Sequence, residues 1–107
     1  MPENTIAGQV ALVTGASRGI GAAIASELAA RGCVVIGTAT TDDGAARISS
    51  ALAAVAGAGA GSRGARLDVN DGAAVDTLID EIVKSQGALD VLVNNAGITR
   101  DGLFRKM

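Results

Sequence analysis

Thr14-Gly15-Ala16-Ser17-Arg18-Gly19-Ile20-Gly21 is the stretch of this 107-residue chain whose residue types and spacing can do chemistry. Its glycines, spaced G-x-x-x-G-x-G, stand between an apolar run and an apolar-periodic one. Gly15 lets the chain turn sharply off a strand, Gly19 lets backbone approach a pyrophosphate, and Gly21 lets a helix pack against a sheet. The helix N-terminus then offers free N–H groups and positive dipole to phosphate. The spacing is not the G-x-G-x-x-G fingerprint. It is not a P-loop either, because no Lys-Ser/Thr pair follows the last glycine. A tight strand-to-helix turn without a ligand is the alternative explanation of the glycines, but the position directly between a buried strand and a helix favours the phosphate-binding reading.

The end of the next strand bears on which dinucleotide fits. An NAD site carries an acid there for the ribose hydroxyls. Here the strand ends Gly37-Thr38-Ala39-Thr40, with no carboxylate to repel a 2′-phosphate. Arg18, inside the loop, can pair with that phosphate, which favours NADP(H). In the alternative, Arg18 is a solvated loop residue and Asp42 or Asp43 serves as the acid.

What the chain lacks narrows its chemistry further. It has no His, Tyr or Trp, one Cys (Cys33) and one Phe (Phe104). No Ser-His-Asp triad, Cys-His pair or His-built zinc site can be assembled from it, and no internal disulfide. The sequence therefore predicts no metal site and no catalytic residue among these 107, and a single thiol suits a reducing cytoplasm. The net charge of −2 and a pI near 4.8 argue against nucleic acid as a partner. No apolar run approaches membrane-spanning length, and no signal-peptide pattern opens the chain.

The elements that must position the loop read as an alternation. Val10–Thr14 is a strand buried on both faces. Ile20, Ile24 and Leu28 recur every four residues on a helix stopped at Gly32. Cys33–Thr38 is a second buried strand. Thr41 or Asp42 caps a helix bearing Ile48, Leu52 and Val55, and residues 57–62, Gly-Ala-Gly-Ala-Gly-Ser, read as a flexible loop. Ala65–Val69 is a third strand. Asn70 or Asp71 caps a helix with Val75, Leu78, Ile79, Ile82 and Val83 on one side, ended by Gly87. Residues 89–94 contain a fourth strand, and Asp101 or Gly102 starts a further helix with Leu103, Phe104 and Met107. This β-α-β-α-β-α-β order predicts an α/β, Rossmann-type, doubly wound parallel sheet of strand order 3-2-1-4 with right-handed crossovers. In that sheet strand 4 has an unpaired edge, and the isolated chain is expected to be marginally stable and to self-associate there.

With the glycine loop after strand 1, Asp68-Val69 after strand 3 and Asn94-Asn95-Ala96-Gly97 after strand 4, the sequence resembles the short-chain dehydrogenase/reductase family. The stretches 12–21, 35–40 and 94–101 look most like bacterial members that reduce 3-oxoacyl thioesters on acyl carrier protein with NADPH in fatty acid synthesis. The resemblance implies that Gly15, Ala16, Ser17, Arg18, Gly19, Ile20 and Gly21 wrap the cofactor phosphates, with Thr40 near the adenosine phosphate. It implies that Asp68 accepts from the adenine amino group, that Val69 packs near the ring, and that Asn95, Ala96 and Gly97 line the ribose and support the strand 1–strand 4 seam. Read singly, Asp68 is a plain helix-start acid and the two Asn are turn residues. The family's Ser and Tyr-x-x-x-Lys lie downstream of strand 4 and have no counterpart here. Residues 1–107 therefore resemble the amino-terminal, cofactor-binding portion of a single-domain reductase that is a homo-tetramer when full length. The alternatives are a reductase of acetoacetyl-CoA or another short substrate, or a nucleotide-binding module without catalysis.

Overall fold

Two apolar runs without polar alternation form the centre of the sheet. β1 (Val10–Thr14) and β2 (Val34–Ala39) are buried at every residue, as strands covered on both faces must be. The structure, a computed structural model, describes residues 6–95. Within that span the remaining elements are α1 (Gly19–Ala30), α2 (Asp42–Ala53), β3 (Arg63–Arg66), α3 (Gly72–Gln86) and β4 (Val91–Asn94). The sheet is parallel, in the order β3-β2-β1-β4, as the alternation predicted. The predicted helix at 101–107 lies outside the described residues.

Period-two alternation along the central strands divides the core in two. Val10, Leu12, Val34 and Ile36 face one side, where Val75, Leu78, Ile79 and Ile82 of α3 cover them. Val13, Cys33 and Val35 face the other, against Ala25 and Ala29 of α1 and Ile48 and Leu52 of α2. The helix boundaries follow local chemistry. Thr41 caps α2, its hydroxyl accepting from the Gly44 N–H at 3.0 Å, and Asp71 caps α3 through the Ala74 N–H at 3.1 Å. Gly87, in the left-handed region, ends α3. Burial pushes the Cys33 thiol pKa up, which keeps it protonated and part of the core.

Four expectations need correction. The Ile20-Ile24-Leu28 stripe is not the buried face of α1: Ile20 is 73% exposed, and Gly21, Ala25 and Ala29 are buried instead. The helix lies too close to the sheet for large side chains, so Ile24 and Leu28 pack along its flank. On α3, Val83 is 42% exposed. The third strand starts two residues earlier and ends three earlier than expected: Arg63–Arg66 pair with Ile36–Ala39 of β2, and the Gly64 N–H donates to Ser49 Oγ of α2 at 2.8 Å. Finally, the 57–62 tract is tied down. Gly59 donates to the Cys33 carbonyl at 2.9 Å, and Ser62 Oγ accepts from the Val35 N–H at 2.9 Å. Its glycines let backbone dock where side chains would block it, so composition alone misjudged its order.

β4 is fastened to β1 at both ends. At the start, Val10 and Asp90 exchange two bonds of 2.9 Å: the Val10 N–H donates to the Asp90 carboxylate, and the Asp90 N–H donates to the Val10 carbonyl. Asp90→Ala removes the charge-assisted bond. It is expected to cost about 1–3 kcal/mol, read as a shift of the urea midpoint at constant slope. Asp90→Asn keeps an acceptor and should recover part of the loss, whereas equal loss in both variants would contradict this assignment.

Candidate functional site

The carboxyl ends of β1, β2 and β3 open onto one cleft, where a doubly wound sheet presents its ligand site. It has two lobes. One, about 250 Å³, is lined by Gly15, Ser17, Thr38, Ala39, Thr40, Leu67, Asp68, Val69 and Asn70. The other, about 230 Å³, is lined by Ser17, Arg18, Ala39, Thr40, Thr41, Gly44 and Arg47. Ser17, Ala39 and Thr40 belong to both.

The glycine loop is shaped by backbone needs. Gly15 and Gly19 have φ of 64° and 65°, left-handed values that side-chain-bearing residues adopt only with strain. At Gly21 a Cβ would overlap the Gly15 carbonyl oxygen and stand 2.5 Å from Asn95 Nδ2. That close approach brings α1 down onto the loop. Arg18 occupies the N-cap position with extended backbone, its side chain makes no capping bond, and the first turn holds no acid. The positive end of α1 is therefore not neutralised by its own first turn, the condition under which a phosphate binds there.

A polar seam supports the loop from beneath. The buried Thr14 hydroxyl donates to Asn94 Oδ1 at 3.1 Å and accepts from the Asn95 N–H at 2.9 Å. Asn95 Nδ2 donates to the Gly15 carbonyl at 3.1 Å. The Ala16 N–H is committed to the Thr38 carbonyl at 2.8 Å, tying the loop to β2.

The predicted residues thus divide by position. Gly15, Ser17, Arg18, Thr40, Asp68 and Val69 line the cleft. Gly19, Ile20 and Gly21 form the first turn of α1. Ala16, buried, is a tie rather than a wall, and Asn95 holds the β1–β4 seam. Ala96 and Gly97 lie outside the described residues. Asp68 also fills the turn role: its Oδ1 accepts from the Asn70 N–H at 2.9 Å, and its carbonyl from the Asp71 N–H. Asp42, the alternative acid, is 86% exposed, ion-pairs with Arg66 at 3.7 Å, and like Asp43 lines neither lobe. The predicted site set lacked Thr38, Ala39, Thr41, Gly44, Arg47, Leu67 and Asn70, which also line the cleft. For Gly44 and Arg47 the available signal was the i, i+3 spacing that stacks them on one face of α2.

A model of the short chain dehydrogenase family matches residues 9–107. The chain belongs to that family. It is 53% identical over 100 residues to the 3-oxoacyl-[acyl-carrier-protein] reductase FabG of Escherichia coli (strain K12), an alignment covering 94% of this chain and 38% of that protein. It is 49% identical over 100 residues to the FabG of Haemophilus influenzae, covering 94% and 39%. Against the FabG of Pseudomonas aeruginosa it is 50% identical over 103 residues, covering 96% and 40%. The chain therefore spans about two-fifths of the length of these relatives. Membership agrees with the observed strand order and with the cleft at the strand ends. No helix among the described residues is long and apolar enough to cross a membrane.

Proposed function

We propose that residues 1–107 are the NADP(H)-binding portion of a reductase that converts 3-oxoacyl thioesters on acyl carrier protein to 3-hydroxyacyl thioesters. The observation that carries NADP(H) is the charge at the adenosine end of the cleft, where Arg18 lines the lobe and β2 ends without an acid. Similarity to the FabG reductases supports the thioester substrate. When bound, the dinucleotide supplies a hydride.

In this reading the loop backbone and the first turn of α1 hold the pyrophosphate, and Arg18 pairs with the 2′-phosphate beside Thr40. Asp68 accepts from the adenine amino group through Oδ2, which meets no donor among the described residues. Val69 packs near the ring, and Asn95, Ala96 and Gly97 run along the ribose. In this family a tyrosine gives the proton that follows the hydride, and these 107 residues contain none, so on this reading residues 1–107 alone are inactive. The full-length enzyme is a cytoplasmic homo-tetramer of fatty acid synthesis. Its one free, buried thiol in this portion suits a reducing compartment.

The test is turnover by the full-length polypeptide. NADPH oxidation, followed by absorbance, should accompany reduction of acetoacetyl-acyl carrier protein, with a higher kcat/KM than for acetoacetyl-CoA. A preference for the CoA thioester would move the assignment to another short-substrate reductase. Tight NADPH binding without turnover of either thioester would leave a nucleotide-binding module.

A further inference from the structure

Among the described residues there are five arginines, and their partners separate them into two groups. Arg31, Arg63 and Arg66 pair with Glu27, Glu81 and Asp42 at 2.7, 2.9 and 3.7 Å. Arg18 and Arg47 have no carboxylate partner among the described residues, and these two line the same lobe of the cleft. They come from different elements, Arg18 from the glycine loop and Arg47 from α2. No Asp or Glu lines that lobe, whose remaining walls are Ser17, Ala39, Thr40, Thr41 and Gly44.

The fold brings the second arginine there deliberately. A Cβ on Gly44 would stand 2.6 Å from Ala39 Cβ, 3.2 Å from Thr41 Oγ1 and 3.5 Å from Ser17 Cβ, so only glycine lets α2 sit this close to β2 and the loop. Arg47 follows one turn later on the same face of α2. Its neighbour Ile48 is buried in the core, which fixes the rotation of the helix. Two guanidinium groups facing one small cavity repel each other, and a dianion between them turns that repulsion into two charge-assisted contacts.

We infer that Arg47 is a specificity-determining residue: with Arg18 it clamps the 2′-phosphate of the adenosine moiety, and it sets the preference for phosphorylated over unphosphorylated ribose. The inference rests on the NADP(H) reading and adds to it a residue on a different element. A planar guanidinium can meet two phosphate oxygens at once, so lysine is a poorer substitute.

The test uses calorimetric titration of the full-length polypeptide with adenosine 2′,5′-bisphosphate and with AMP, which differ only in the 2′-phosphate. Wild-type protein should bind the bisphosphate more tightly, with an affinity that falls as salt rises. Arg47→Ala should weaken the bisphosphate roughly tenfold, in the range of a lost charge-assisted bond, flatten the salt dependence, and leave AMP unchanged. Arg47→Lys should recover part of the loss. Thermal unfolding checks the fold, which alanine at an exposed helical position should preserve. If Arg47→Ala retains the full bisphosphate preference, or loses AMP equally, the clamp is overturned while the NADP(H) reading stands. If wild-type protein itself shows no preference, both fall.

Discussion

Replacing Gly21 by valine is expected to remove most of the stability of the fold. A Cβ at this position overlaps the Gly15 carbonyl oxygen, and the Asn95 amide closes the other side. Ordinary overpacking costs about 1–3 kcal/mol because side chains can shift. Here the obstacle is backbone of the same loop, and moving it breaks the Asn95-to-Gly15 bond and the seam through Thr14. The cost therefore belongs in the exceptional class above about 4 kcal/mol, against a total stability of about 5–15 kcal/mol for a domain. Soluble yield and circular dichroism give the readout, and Gly21→Ala gives the graded version. A useful control is Gly72→Ala at the start of α3, where a Cβ meets nothing within 4 Å. That change should be neutral or stabilise by up to about 1 kcal/mol. Near-wild-type thermal stability of Gly21→Ala would refute the close-approach account.

Arg18→Ala should separate the two nicotinamide cofactors. The Arg18 side chain makes no capping bond and no ion pair among the described residues, so the fold does not depend on it. Its loss should weaken NADPH binding about 10- to 100-fold, the equivalent of one or two charge-assisted bonds, while NADH binding stays within about twofold and the melting temperature is unchanged. Fluorescence titration of the full-length polypeptide with each cofactor provides the measurement. Equal loss for both cofactors would assign Arg18 to the pyrophosphate rather than the 2′-phosphate. Combined with Arg47→Ala it forms a double-mutant cycle, and a non-zero coupling energy is expected if both grip one phosphate.

Both experiments depend on how the cleft is built, and its parts were unequally legible in the sequence. Val10–Thr14 and the G-x-x-x-G-x-G loop carried their own signals, because a strand buried on two faces and a turn needing positive φ each restrict residue type directly. The caps at Thr41, Asp71 and Gly87 were legible for the same reason: each satisfies a local backbone group. The seam was only half legible. Asn94 and Asn95 stood out, but the hydroxyl they meet belongs to Thr14, about eighty residues earlier, and Asp90 gave no hint that it would hold the Val10 N–H.

The face of α1 was misread for a physical reason. Periodicity ranks Ile above Ala as a core residue, yet the distance between helix and sheet sets which size fits, and Gly21 against Gly15 fixes that distance. Residues 57–62 were misread similarly, since small residues that look flexible in isolation permit close docking when a strand end lies opposite. Local chemistry in the sequence was thus sufficient for the element order, the parallel sheet and the glycine turn between β1 and α1. Only the tertiary structure decided that Arg47 joins Arg18 at one cavity and that Asp42 turns to Arg66 instead. Those outcomes depend on how closely separate elements pack, a quantity that no single segment contains.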